Sequence, residues 1–179
     1  MNFAIARVLV PVDFSPCSEL AFRYATSLAS RLGASVNLLH VVEDPVATGA
    51  WSSEVQIPDL PDLRKTLIRD AARRLEQYRA VAEVPGVRVV TTVRMGQTAE
   101  VIGEYAKSSG IDLIVMGTHG RGGLAHVFMG SVAERMVRHA PCPVLTIRGT
   151  AVGDKSEATL AVEPPALGAA LGHLGTSRE

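Results

Sequence analysis

The sequence predicts an α/β domain: five parallel strands in one sheet, with helices on both faces. Two observations carry this. Short apolar runs alternate with segments of helical periodicity in the order β-α-β-α-β-α-β-α-β, the pattern of a parallel sheet covered on both sides. Turn residues also stand where such elements should end, at Pro16, Gly33, Pro85-Gly86, Gly96 and Gly110.

Arg7-Val8-Leu9-Val10-Pro11-Val12 reads as a buried first strand, closed by Asp13-Phe14-Ser15-Pro16. Ser15 suits an N-cap and Pro16 a first helical position. Leu20, Tyr24, Leu28 and Leu32 then share one helical face with Ala21, Ala25 and Ala29 beside them. The alanines permit close packing on a sheet, and Gly33 stops the helix. Val36 to Val42 forms the second strand. The connection 43–58 carries Pro45, Gly49 and Trp51. A connection this long reads as a surface loop, or as a flap or partner contact.

Asp59 or Asp62 caps the next helix, whose apolar face runs Leu63, Leu67, Ala71, Leu75, Tyr78, Ala82. Its other side holds Arg64, Lys65, Arg69, Arg73, Arg74 and Arg79 interspersed with Asp62, Asp70, Glu76 and Glu83. That mixture describes a solvated, paired face rather than a nucleic-acid surface. Val87 to Val93, rich in β-branched residues, forms the third strand. Thr98 caps a helix through Lys107, with Ile102 and Ala106 inward, and Ser109-Gly110 ends it.

The stretch 111–147 organises the rest. The buried run Leu113-Ile114-Val115-Met116 leads into Gly117-Thr118-His119-Gly120-Arg121-Gly122-Gly123. Gly130-Ser131 opens a helix marked by Val132, Ala133, Met136 and Val137, and Pro143-Val144-Leu145-Thr146-Ile147 supplies the last strand. Glycines allow a ligand to approach the backbone. The free N–H groups and positive dipole end at Ser131 suit an anion without any lysine. The alternative is a glycine-rich turn that only connects strand to helix. The motif is neither a Walker A loop, since Gly-Lys-Ser/Thr is absent, nor GxGxxG, since position 125 is Ala. In open parallel sheets ligands sit beyond the carboxyl ends of strands where the order reverses. If the first and fourth strands are neighbours, Pro11-Val12-Asp13 and the glycine loop face one crevice, and the order is 3-2-1-4-5.

Composition narrows the function classes. The chain has 179 residues, 47% apolar, with 18 basic and 18 acidic side chains. Zero formal net charge argues against a broad nucleic-acid surface. Cys17 and Cys142 suggest no disulfide framework and fit a reducing compartment. No signal peptide is evident, and no apolar run approaches the about 20 residues of a membrane span. A soluble cytoplasmic protein is the expectation.

Met116-Gly117-x-x-Gly120, nine residues, Gly130-Ser131, followed by Pro141-Cys142-Pro143-Val144-Leu145, resembles the universal stress protein family. Arg7-Val8-Leu9-Val10-Pro11-Val12-Asp13-Phe14-Ser15 resembles the same family's first strand and turn. The similarity covers roughly residues 4–148. It implies a Rossmann-like adenine-nucleotide-binding fold of the ATP-binding branch. By this resemblance Pro11, Val12 and Asp13 line the adenine and ribose side, and Val41 contacts the adenine. Met116 and Gly117 lie under the ribose and first phosphate, and His119, Gly120, Gly130, Ser131 and Val132 surround the phosphates. It further implies ATP with Mg²⁺ as cofactors and a homodimer through the fifth strand, with no nucleic acid or membrane partner. Residues 1–148 form the nucleotide-binding domain, and 149–179, rich in Gly, Ala and Pro, reads as a mobile tail outside the family pattern.

Asp13 can orient a ribose hydroxyl or help hold Mg²⁺, or it is a turn carboxylate capping the first helix. His119 and His126 lack a third partner for zinc, and His119 suits a phosphate contact. Arg121 reads as a solvated loop charge able to swing toward a phosphate. Cys17, in a helix's first turn, reads as a packed residue rather than a redox sensor, and Cys142 as structural. No catalytic set emerges. The function that the resemblance implies is an ATP-binding, stress-response regulatory module. The alternatives are a slow nucleotide hydrolase or adenylyl-transferring enzyme using Asp13 and His119, and a nucleotide-free dimeric scaffold.

Overall fold

A computed structural model describes residues 4–44, 60–81, 84–119 and 129–148. The elements run β1 (Arg7–Pro11), α1 (Pro16–Leu32), β2 (Ser35–Val42), α2 (Leu60–Val81), β3 (Val89–Met95), α3 (Thr98–Ser108), β4 (Leu113–Gly117), α4 (Ser131–His139) and β5 (Val144–Ile147). All five strands are parallel and lie in the order β3-β2-β1-β4-β5. This is the doubly wound, Rossmann-like α/β fold that the alternation of elements predicts.

The two faces of the sheet bury separate clusters, because alternate residues of each strand point to opposite sides. Val8, Val10, Val36, Leu38 and Val115 pack with Ala21, Phe22, Ala25 and Ala29 of α1 and Leu75 of α2. Leu9, Leu39, Val41, Ile114 and Met116 pack with Ala99, Ile102 and Ala106 of α3 and with Ala133 and Met136 of α4.

Helix α1 starts as expected. The Ser15 side chain accepts from Ser18 N and Pro16 opens the helix. Gly33 closes it at φ 66°, where a side chain would be strained. Its buried face centres on Ala21, Phe22, Ala25 and Ala29, while Leu32 is 47% exposed. The leucine stripe flanks the contact instead of forming it, because the alanines let the helix axis lie close to the sheet.

Several boundaries move. Asp62 is the third residue of α2, not its cap, and pairs with Lys65 at 3.1 Å; Asp59 and Ala82 lie outside the described residues. Gln97 holds the N-cap position of α3 and Thr98 is its first residue, with the Thr98 hydroxyl donating to Glu43 Oε1 at 3.3 Å. The third strand begins at Val89 because Val87 is still in the turn, its N–H bonded to Val84 O at 3.1 Å. It runs on to Met95 because β2 offers partners as far as Val42.

Candidate functional site

The carboxyl ends of β1, β2 and β4 open onto one cavity of about 410 Å³. Strand order creates it. β1 stops at Pro11, opposite Leu39, and β2 runs on to Val42, so the space above β1 is bounded by its neighbours. Leu39 and Val41 form one wall and Met116 another, and α3 and α4 lie across the same face of the sheet.

Ten of the eleven residues singled out in the sequence line this cavity: Pro11, Val12, Asp13, Val41, Met116, Gly117, His119, Gly130, Ser131 and Val132. The eleventh, Gly120, lies outside the described residues, as do Arg121, His126 and most of the 43–58 connection. Sequence reasoning missed Ser18, Leu39, Thr98, Ile102, Thr118, Met129 and Ala133, which also line it. They come from three helices, one strand and the ends of the glycine loop, and are ordinary residue types with no motif. Only Leu39 carried a signal, since it lies two residues before Val41 and so on the same face of β2.

The floor of the cavity is main chain. Val12 N donates to Leu39 O at 2.8 Å, a last rung beyond β1. Val12 O accepts from His40 Nδ1 at 2.7 Å. A carbonyl can only accept, so the proton sits on Nδ1. Leu39 O faces β1, and alternation turns the N–H and C=O of Val41 to that same side, where β1 has ended. One donor and one acceptor thus face the space between β2 and β4.

Asp13 is the one carboxylate among the described lining residues. Its Oδ1 accepts from Ser15 N at 3.0 Å and from Ser15 Oγ at 2.6 Å. The carboxylate takes the turn role the sequence allowed, steadying the start of α1, and it also borders the cavity.

The opposite end is built by Gly117, Thr118 and α4. Thr118 N donates to Ile147 O at 2.9 Å, and Gly130 N donates to Thr118 O at 2.7 Å. Thr118 Oγ1 and His119 Nδ1 lie 2.9 Å apart. Gly130 is the N-cap of α4 and supplies no side chain, so the first turn has no side-chain cap. Its amides open toward the cavity beside Ser131, Val132 and Ala133. Gly117 is small of necessity, since a Cβ there would lie 2.7 Å from Cys17 Sγ and 3.1 Å from the Cys17 carbonyl carbon. No lysine or arginine lines this cavity among the described residues. The groups there that suit an anion are the main-chain amides and the positive end of the α4 dipole.

Beneath Asp13, on the other face of the sheet, lies a ring cluster. Phe14 has a positive φ of 64°. Its ring stands 4.4 Å from that of His40 and edge-on to Tyr78 at 5.6 Å, with the Arg74 guanidinium 4.3 Å away over its face. Burial pushes the Tyr78 phenol up to about 12.

Among the described residues no group of three or more His, Cys, Asp or Glu side chains could hold a metal ion, and no helix is long and apolar enough to cross a membrane.

Residues 4–148 match the model of the universal stress protein family. Universal stress protein MJ0531 of Methanocaldococcus jannaschii is 33% identical over 147 residues, 79% of this chain and 81% of that protein. The structure of universal stress protein UspA from Lactobacillus plantarum is 34% identical, covering 82% of this chain and all of that one, with a TM-score of 0.64. A universal stress protein family protein from Arabidopsis thaliana, solved with AMP bound, shares the fold at 24% identity and a TM-score of 0.52, covering 82% of this chain and 93% of that one.

Proposed function

The chain belongs to the universal stress protein family, and from that premise we propose that it is an ATP-binding regulatory module acting as a homodimer. One observation carries the reading. The uncapped first turn of α4 opens on a mostly apolar cavity with a main-chain donor and acceptor at its far end. An adenine nucleotide has the matching anatomy: a flat base edge at one end and an anion at the other. The base lies between Leu39, Val41 and Met116, with its hydrogen-bonding edge toward the Val41 main chain. The ribose sits against Asp13. The phosphates meet the amides of Ser131 and Val132, with Gly130 and His119 beside them. The AMP held by the Arabidopsis relative is in keeping with this reading.

Magnesium would enter with the nucleotide. Mg²⁺ is commonly held by one or two carboxylates and by substrate phosphates, and Asp13 is the carboxylate within the cavity wall. The nucleotide module spans 1–148 in this reading, with 149–179 appended as a tail, in a cytoplasmic protein.

Dimerisation is assigned to β5. Among the described residues it is an edge strand, paired only with β4, and Val144, Leu145 and Thr146 are half-buried in the single chain. An apolar edge with unpaired main-chain groups favours pairing with a second copy.

The test is mass spectrometry of the nucleotide released when the freshly purified protein is denatured, followed by calorimetric titration with ATP and AMP, with and without Mg²⁺. Co-purified adenylate, or heat on titration, supports the reading. A protein that carries none and gives neither heat nor a melting shift at saturating ATP removes it, leaving a scaffold. Turnover lost in Asp13→Ala while binding survives would make the protein an enzyme.

A further inference from the structure

Phe14 is the one non-glycine residue with a positive φ among those described, at 64°. This conformation is strained for an ordinary side chain, and a bulky residue keeps it only where its surroundings hold it. The surroundings are specific. The ring is held by His40 of β2 and by Arg74 and Tyr78 of α2. The consequence lies on the other side of the sheet. Passing through Phe14, the chain turns so that Asp13 Oδ1 meets both Ser15 N and Ser15 Oγ, while Val12 O meets His40 Nδ1. Val12 and Asp13 line the cavity, and Phe14 packs, with Val12, into the cluster shared with α1 and α2.

Helix α2 contributes no described residue to the cavity wall. It nevertheless touches two positions next to it. Arg74 and the Tyr78 ring contact Phe14, and Tyr78 Oη lies 3.4 Å from the hydroxyl of Ser18, a lining residue. Arg74 is itself exposed.

We infer that Phe14 is a positioning residue for the nucleotide, set by Arg74 and Tyr78, and that it couples occupancy of the cavity to the docking of α2 on the opposite face of the sheet. The inference rests on the nucleotide reading above. A ligand that draws Asp13 and Val12 into one geometry also fixes the strained residue beside them, and so tightens the contacts that residue makes with α2. Linkage makes the effect reciprocal: loosening α2 weakens the ligand. The 12–15 turn is the physical connection, and it is contiguous from cavity to helix.

The experiment uses the full chain with MgATP as probe. Calorimetry compares the wild type with Phe14→Ala, Phe14→Tyr and Arg74→Gln. Hydrogen exchange follows the α2 amides of residues 71–79 with and without ATP. Arg74→Gln, on the surface, is expected to weaken ATP about threefold, the scale of an exposed cation–π contact. Phe14→Ala is expected to weaken it by about tenfold or more, through loss of the ring that over-determines the turn, with Phe14→Tyr restoring affinity. ATP should slow exchange across 71–79 in the wild type and in Phe14→Tyr. Should Phe14→Ala fail to fold, Arg74→Gln and the wild-type exchange data decide alone. Variants that melt lower yet bind ATP as the wild type does would reduce Phe14 to a packing residue. So would α2 exchange that ignores ATP. A wild type that gives no heat with ATP is a separate result: it removes the nucleotide reading and this coupling together.

Discussion

The amide of Gly130 donates to the carbonyl oxygen of Thr118 at 2.7 Å. Thr118 is in turn tied to Ile147 O through its own N–H at 2.9 Å. These two bonds clamp the start of α4 to the end of β4 and to β5. The clamp aims the uncapped first turn of α4 across the carboxyl end of the sheet. A Cβ on Gly130 would lie 3.3 Å from Thr118 O, so the closeness of the clamp depends on the missing side chain.

Gly130→Ala tests the clamp. The residue has φ −70°, which alanine adopts freely, so the fold should survive. The carbonyl must yield by a few tenths of an ångström, at a cost of about 1 kcal/mol, the low end for overpacking. ATP affinity should fall by more than the melting temperature suggests, because the shift occurs where the phosphates are proposed to sit. Thermal melts alongside calorimetry separate the two effects.

Gly117→Ala should be more damaging, by about 1–3 kcal/mol. Its Cβ would meet Cys17 Sγ at 2.7 Å and the Cys17 carbonyl carbon at 3.1 Å. Adding Cys17→Ala removes the sulfur but not the backbone. The double variant should therefore recover only part of the loss in urea denaturation. Full recovery would show that the sulfur alone fixes the glycine.

Asp13 and Ser15 form a relay into α1: Asp13 Oδ1 accepts from Ser15 Oγ, and Ser15 Oγ accepts from Ser18 N at 3.2 Å. Ser15→Ala should cost about 1 kcal/mol as a lost N-cap. Asp13→Ala should cost a similar amount and also weaken ATP, whereas Ser15→Ala should affect ATP less. Chemical denaturation read beside calorimetric titration gives both comparisons.

Alkaline pH should single out Tyr78. Its phenol is pushed from the ordinary 10 to about 12, chiefly by burial, with the Ser18 hydrogen bond opposing. Above pH 10 the unfolded phenol ionises while the folded one stays neutral, so proton loss favours unfolding. This share of the stability is complete below pH 10 and drains away as pH rises toward 12. Tyr78→Phe removes that titration. The wild type should lose stability more steeply than Tyr78→Phe between pH 10 and 12, measured as the difference between their denaturation midpoints.

The order of elements and the candidate loop were legible because both are local. Val8 to Val10 and Leu113 to Met116 announce buried strands by composition alone, and Ser15-Pro16 and Gly33 mark the ends of α1 through their own backbone preferences. Boundaries set by a partner were less legible. Met95 belongs to β3 because Val42 lies beside it, and Thr98 begins α3 rather than capping it, its hydroxyl meeting Glu43 just beyond the end of β2. The wall residues Ser18, Ile102, Met129 and Ala133 have nothing in their neighbours to mark them.

By itself, then, the sequence determined the alternation of strands and helices, the strand order once β1 and β4 were set side by side, and the glycines and Asp13 at the carboxyl ends. These follow from side-chain period and backbone freedom, which act over a few residues. The tertiary structure alone decided that β1 stops short between longer neighbours and so leaves a cavity above it. It also decided that Phe14 takes a left-handed backbone no aromatic residue would choose. The reason is common to both: each is fixed by groups remote in the chain, Leu39 and Met116 for the cavity, His40, Arg74 and Tyr78 for the ring. Such contacts exist only once the sheet has brought them together.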